Sequence, residues 1–291
     1  MSVPRLALLV ATAPLASGAL SADYQLPARL RTVFDLVAPG MSTVADVGAD
    51  HGILSAALAV KVPQVYATDL SPAAASRAAQ LFSKLGLEQR VSLEVGFGLR
   101  PLLRRGLAVD SLVLSGMGAQ AALQILSDDP SARFDDTDAS GRWRDLDYPR
   151  FSLAALDELN VRQLILQPWP PHILPLHYLC KLLVINGWKY QAQRITASQG
   201  RRRGNEYHHL VTSFIRSSSA NTGMVSDDII FNGLPLNQLF SRDSLRAEES
   251  ICWKGYLIKQ SESLRKRIQS RQTENSLPEL LSRLIGAIEF R

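Results

Sequence analysis

The sequence predicts an α/β fold, a doubly wound sheet followed by a C-terminal helical hairpin. Three observations carry this. Residues Thr43 to Ala57, TVADVGADHGILSAA, read as a strand, a tight glycine turn and the start of a helix. Four consecutive strand-like runs each end in a glycine or acidic turn and are separated by helix-length segments, the layout of a sheet with one ligand crevice. Beyond a polar linker at Ser217 to Gly223, the apolar residues recur at helical spacing in two segments.

Residues 1–22 contain no acidic side chain, carry Arg5, and place the apolar run Leu6 to Ala16 before small residues. They read as a leader or as a frayed N-terminus, so residues 1–25 are set outside the fold. From there the spacing Leu26, Leu30, Val33, Leu36, Val37 makes an amphipathic helix, closed by Pro39-Gly40. The run Val44, Ala45, Val47 is short, partly β-branched and bounded by glycines, which favours a buried parallel strand. After Gly48 and Gly52 the apolar spacing turns helical. The glycines therefore sit at a strand's carboxyl end, where open α/β sheets bind nucleotides. A turn there aims backbone N–H groups and a helix N-terminus at the ligand.

The second strand, Gln64 to Thr68, ends at Asp69, 21 positions beyond Gly48. A nucleotide fold places there the acid that grips the ribose hydroxyls. Ser71 as N-cap, Pro72 at N1 and Gly86 as a left-handed stop delimit the next helix. A third strand, Val91 to Val95, ends in Gly96-Phe97-Gly98-Leu99, and a fourth, Ser111 to Leu114, in Ser115-Gly116-Met117-Gly118-Ala119. Residues 127–150 hold seven acids and four bases without a period, which reads as an inserted, mobile loop. A helix Ser152 to Leu159 and a strand Val161 to Leu166 follow, and Gln167-Pro168-Trp169-Pro170-Pro171 turns the chain out over the crevice. Ile173 to Ile185 reads as a buried helix, and Lys189 to Ile195 with Tyr207 to Ile215 as a closing hairpin. The tail, from Leu239 to Ile268 and from Leu277 to Ile288, reads as two helices broken at about Thr273 to Pro278.

The net charge is +5. Residues 189–216 hold Lys189, Arg194, Arg201, Arg202, Arg203 and Arg216 against Glu206, an excess equal to that of the whole chain. Three consecutive arginines on a loop suit phosphate contacts, and Tyr207 beside them suits base stacking. A solvated loop is the plain alternative. No run reaches the roughly 18 to 20 apolar residues that cross a bilayer, so no membrane role is expected. Cys180 and Cys252 lie far apart without metal-ligand spacing, so neither a metal nor a disulfide is expected.

The string Val44-Ala45-Asp46-Val47-Gly48-Ala49-Asp50-His51-Gly52-Ile53-Leu54 resembles the ADIGSDHAYLP signature of the bacterial tRNA adenine-22 N1-methyltransferase (TrmK) family. Gly96 to Leu99 is similar to its GDGL, Ser115 to Ala119 to its AGMGG, and Leu166 to Trp169 to its LQPN. The tail resembles its coiled C-terminal hairpin. The likeness spans residues 26–291, with 127–150 unmatched. It implies a class I methyltransferase (Rossmann-like) domain over residues 26–216, a linker and helical hairpin over 217–291, S-adenosyl-L-methionine as cofactor and tRNA as partner.

On that resemblance Asp46, Gly48 and Asp50 surround the methionine end, Asp69 with Leu70 holds the ribose, and Phe97 with Gly98 packs the adenine. Gly116, Met117 and Gly118 lie near the transferred methyl. Asp50 is the expected catalytic group, accepting from the target base's amino group while charge develops on the ring. His51, Gln167, Trp169, Arg201, Arg202, Arg203 and Tyr207 are the expected substrate contacts, His51 alternatively capping the following helix. Phe97 and Trp169 depart from the acid of GDGL and the Asn of LQPN, leaving two rivals open: methylation of another RNA base or small molecule, and RNA binding without catalysis. The expected compartment is the cytoplasm, or a mitochondrion or plastid if the N-terminus is a transit leader.

Overall fold

Seven strands form one sheet, in the order Val91–Val95, Gln64–Asp69, Thr43–Val47, Ser111–Ser115, Gln163–Gln167, Glu206–Arg216 and Trp188–Gln199, in a computed structural model that describes residues 26–132, 152–171, 173–199, 206–216 and 247–271. The chain runs α1 (Ala28–Leu36), β1 (Thr43–Val47), α2 (Ile53–Lys61), β2 (Gln64–Asp69), α3 (Pro72–Leu85), β3 (Val91–Val95), α4 (Arg100–Arg104) and β4 (Ser111–Ser115). It continues through α5 (Ala119–Leu126), α6 (Ala154–Glu158), β5 (Gln163–Gln167), α7 (Ile173–Ile185), β6 (Trp188–Gln199) and β7 (Glu206–Arg216). The last element is α8 (Ala247–Arg271). Strands β1 to β5 are parallel, and the hairpin β6–β7 is antiparallel. The order reverses between β1 and β4, whose carboxyl ends frame the crevice that such a switch point creates.

Alternate residues of the central strands feed two cores. Val44, Val65, Val113, Ile165 and Val211 face α1, α2 and α3. Ala45, Leu112, Leu114, Leu164, Leu166, Leu210 and Phe214 face α4, α5, α7 and α8. A strand buried on both sides needs apolar residues at every position, which is why these runs lack alternation. The α3 boundaries follow their expected chemistry: Ser71 Oγ accepts the Ala74 N–H at 3.3 Å, Pro72 opens the helix, and Gly86 closes it at φ 65°.

The hairpin folds so that its second strand lies inside. β7 pairs with β5 and is buried from His208 to Phe214, whereas β6, on the edge, exposes Lys189, Gln191 and Arg194. Both strands outrun their expected spans, because pairing across Thr196–His209 to Gln199–Glu206 needs only backbone. The expected loop 127–150 opens directly after α5, and its first residues, 127–132, run in turns packed against the body of the fold. Ala132 is buried, its carbonyl accepts from Gln120 at 2.6 Å, and Arg100 holds Asp128 at 2.9 Å. Residues 133–151 lie outside the described residues, as do 1–25, the stretch 217–246 with the linker Ser217 to Gly223 and the start of the first tail segment at Leu239, and the second helical segment of the tail.

The first tail helix packs against β6 and β7. Trp253, Tyr256 and Leu257 of α8 are buried in the same core as Leu210 and Phe214, a contribution of roughly 2 kcal/mol or more for each large side chain. Tyr256 Oη donates to the Pro171 carbonyl at 3.1 Å, and the Lys259 ammonium donates to the Glu206 carbonyl. Close approach depends on Gly255, since a Cβ there would stand 2.8 Å from His208 Nε2.

Candidate active site

Backbone bonds tie the carboxyl ends of the parallel strands into one rim. The Gly48 and Ala49 N–H groups donate to the Thr68 carbonyl at 2.8 and 3.0 Å, and Gly96 donates to the Asp69 carbonyl at 2.9 Å. Thr68 Oγ1 donates to the Gly98 carbonyl at 3.2 Å. Gly116 N–H donates to the Gln167 carbonyl at 2.9 Å, and Trp169 N–H to the Met117 carbonyl at 2.8 Å. Gly48 sits at φ 78°, and a Cβ on it would stand 2.9 Å from Met117 Cε. The first turn and the β4 turn thus close on each other through a position that tolerates only glycine.

Two acids are linked across the β1 and β2 turns. Asp69 Oδ2 accepts the Asp50 N–H at 2.9 Å, and its Oδ1 accepts the Ser71 N–H at 2.8 Å. Asp50 takes φ 50°, a left-handed value rare for a side chain with a Cβ. Its carboxylate stays 66% exposed, 2.7 Å from His51 Nδ1 and 3.8 Å from Arg77. His51 does not cap α2: the N-cap is Gly52 and no side chain fills that role. Gly52 is left-handed, and the His51 ring lies against the Asp50 carboxylate instead.

Asp46 and Gln167, both expected to touch ligand, are sunk beneath the rim. Asp46 is 2% exposed, accepts the Ser55 hydroxyl at 2.6 Å, and burial lifts its carboxyl to about 6, with Ser55 opposing the rise. Gln167 is fully buried, and its Oε1 accepts from Ser115 Oγ at 2.9 Å, fastening β4 to β5. As the rim stands, these side chains hold it from below.

Leu70 lies beside Asp69 with 68% exposure, and Phe97 is partly buried with the Arg100 guanidinium 5.3 Å above its ring. Gly98, at φ 52°, packs over Ile125. Gly118 lies under the Trp169 carbonyl, 3.9 Å from where a Cβ would be. On the far side Trp169 meets Tyr207 edge-on at 5.4 Å and stacks against His209 at 4.7 Å with a 33° tilt. Arg201, Arg202 and Arg203 lie outside the described residues.

Two residues that the sequence left unmarked belong to this crevice. His209 is buried, its Nε2 is 2.8 Å from Ser198 Oγ, and its Nδ1 has no partner among the described residues. Burial lowers it to about 4, with the charge of Arg29 and then His208 adding to the fall, so the ring is neutral at pH 7. Arg29, from the first turn of α1, brings Nη1 to 3.8 Å from where a Gly116 Cβ would be. Burial lowers its pKa, and the Asp50 carboxylate pulls it back up. In sequence Arg29 is one base on an amphipathic helix, and only its place directly before buried Leu30 sets it apart.

Among the described residues no group of three or more His, Cys, Asp or Glu is arranged to hold a metal ion, and no helix is long and apolar enough to cross a membrane. Cys180 is buried and Cys252 half-buried, and the two are not joined by a disulfide.

Residues 26–138 match the family model described as a methyltransferase domain. Over 73 residues, 24% of this chain and 25% of the other, the sequence is 48% identical to the release factor glutamine methyltransferase of Moorella thermoacetica. The match therefore spans a quarter of that relative's length. Among solved structures, the chain is similar to a TrmK of M. capricolum in complex with S-adenosylhomocysteine (TM-score 0.58, 16% identity, 91% of this chain and 97% of that one). It is also similar to the M1A22 tRNA methyltransferase TrmK of B. subtilis (0.56, 20%, 92% and 97%). A third is a putative tRNA (m1A22) methyltransferase of Streptococcus pneumoniae in complex with S-adenosylmethionine (0.59, 19%, 91% and 100%). At these identities the likeness shows the fold, a class I methyltransferase (Rossmann-like) sheet extended by the β6–β7 hairpin.

Proposed function

We propose that the chain is an S-adenosylmethionine-dependent methyltransferase that acts on tRNA at N1 of an adenine. The observation that carries the reading is the pair Asp50–Asp69. One carboxylate fixes the backbone of the other, so that a second acid is held out, exposed, at the switch point of the sheet.

The crevice fits the cofactor. Asp69 offers acceptor oxygens for two vicinal hydroxyls, Leu70 and Phe97 offer apolar surface to a purine, and the left-handed Gly48 lets the β1 turn lie against the β4 turn that carries Met117. When bound, S-adenosylmethionine supplies a methyl group activated by a sulfonium centre. The chain's own residues supply the rest. Adenine N1 carries a lone pair in the neutral base, so alignment matters more than proton removal. Asp50 Oδ atoms would accept from the base's N6 amino group and stabilise the positive charge that the ring acquires. Trp169, propped by His209 and Tyr207, offers a face on which a base withdrawn from its helix would stack.

The Ser115-Gly116-Met117-Gly118 turn after β4 carries no Asn-Pro-Pro-Tyr motif, which argues against methylation of an exocyclic amine. A second reading, methylation of another RNA base or of a small molecule, is favoured by Trp169 and Phe97. Incubation with S-adenosylmethionine and unmodified tRNA, followed by nucleoside mass spectrometry, should yield 1-methyladenine. Label that transfers to a metabolite extract but not to any tRNA would sink the reading.

A further inference from the structure

We infer that Arg29 binds the carboxylate at the amino-acid end of the cofactor. The inference rests on the cofactor assignment above and adds a residue to it. That end of S-adenosylmethionine is a zwitterion, so a crevice that receives it needs an acceptor for the ammonium and a donor, best a cation, for the carboxylate. The rim is rich in acids: Asp50 and Asp69 at its surface, Asp46 beneath. A cation is the part lacking from that set.

The cations around the crevice sort themselves by what they already hold. Arg100 pairs with Asp128, Arg31 with Asp35, and Arg77 approaches Asp50 at 3.8 Å. Arg29 has no hydrogen-bond or ion-pair partner among the described residues, yet its guanidinium is half-buried beside Gly116. Withdrawing a guanidinium from water without pairing it is unfavourable, and a bound carboxylate would relieve that cost with two parallel hydrogen bonds. Gly116 stands at φ 82° and carries no side chain to separate Arg29 from the β4 turn. The charge of Arg29 acts on both Asp50 and His209, so it is felt at the first turn and at the aromatic wall alike.

Two other roles fit less well. Contact with the reacting base would bring a cation against a ring that is itself becoming positive. A tRNA phosphate would meet more readily a fully exposed base at the mouth than a guanidinium sunk beside the β4 turn.

Titration calorimetry on the full chain separates the cases, with S-adenosylhomocysteine, its carboxyl methyl ester and 5′-methylthioadenosine as probes. The last lacks the amino-acid end altogether. Arg29→Met should weaken S-adenosylhomocysteine by about 10- to 100-fold, the size of a charge-assisted pair. Its affinity for methylthioadenosine should stay within about 3-fold, and Arg29→Lys should recover part of the loss. The wild-type chain should bind the ester about 10- to 100-fold more weakly than the free acid, so the inference can be tested even if Arg29→Met does not fold. Equal affinity of the wild-type chain for ester and acid would overturn it, as would an Arg29→Met variant that loses tRNA but keeps S-adenosylhomocysteine. A wild-type chain that binds neither nucleoside would overturn the cofactor assignment itself, and this inference with it.

Discussion

Replacing Asp69 by Ala should damage two things that a simple division of labour would keep apart. Its carboxylate accepts two backbone N–H groups, from Asp50 at 2.9 Å and from Ser71 at 2.8 Å, and on the proposed function it also grips the ribose. Each bond to a charged acceptor contributes about 1.5 kcal/mol, the low end of the range being right for an exposed carboxylate. Holding Asp50 at φ 50° costs roughly 1 to 2 kcal/mol, a strain of the same size as the single bond that Asp69 provides. Without that bond the left-handed turn has lost a restraint equal to its strain, and Asp50 is free to leave its place. Asp69→Ala should therefore weaken S-adenosylhomocysteine by about 10- to 100-fold in calorimetry. It should also lower single-turnover methylation at saturating cofactor by about 5- to 10-fold, for a misplaced Asp50. A double-mutant cycle with Asp50→Asn should depart from additivity by more than about 0.5 kcal/mol. Full turnover at saturating cofactor, or strict additivity, would refute the coupling.

Asp50→Asn keeps the backbone bond to Asp69 and removes the charge, so turnover should fall by about 10- to 100-fold while S-adenosylhomocysteine affinity stays within about 3-fold; the opposite split in a rate and binding comparison would reassign Asp50 to the cofactor. Gly52→Ala adds a Cβ 2.7 Å from the Phe82 ring and 2.9 Å from Ala78 at φ 73°, and should cost about 2 to 5 kcal/mol in urea unfolding. Gly86→Ala, where a Cβ would meet nothing within 4 Å at φ 65°, should cost only the backbone share of about 1 to 2 kcal/mol. Asp46 holds its proton up to about pH 6 in the fold but releases it near about pH 4 when unfolded. Its stabilising contribution is thus complete below about pH 4 and is lost as pH rises through 6, by about 3 kcal/mol at most. Asp46→Asn should flatten that part of the stability profile, as read from urea midpoints at acid and neutral pH.

Strands β1 to β4 were legible because each is a short, largely apolar run stopped by a glycine or an acid, and the stop coincides with the ligand crevice; β5 was marked instead by the prolines that follow it. The span Val91 to Val95 needed no adjustment, and Gln64 to Thr68 needed one residue. The hairpin was legible as a pair of strands but short, since residues Thr196 to Gln199 pair through backbone that leaves no hydrophobic trace. Among the expected site residues, Asp69 stood out by its spacing from the glycine turn and Asp50 by the family resemblance of that turn. Depth did not: Asp46 and Gln167 look like ligands in sequence, and only burial against Ser55 and Ser115 shows that they fasten the rim. Arg29 and His209 escaped for the complementary reason. A lone base on an amphipathic helix and a histidine inside an apolar strand carry no local mark of the crevice they share.

The helix α8 changes what counts as one piece of this molecule. Its hydroxyl tether from Tyr256 ends on Pro171, two residues from the tryptophan of the aromatic wall. A chain cut at the polar linker, where composition invites a boundary, would strip Trp253, Tyr256 and Leu257 from the hairpin and expose Leu210 and Phe214. It would also release the segment that carries Trp169, the stacking face of the proposed function. Whatever pulls on the far end of that helix is therefore in mechanical contact with the mouth of the crevice, so that the arm and the site answer to the same load.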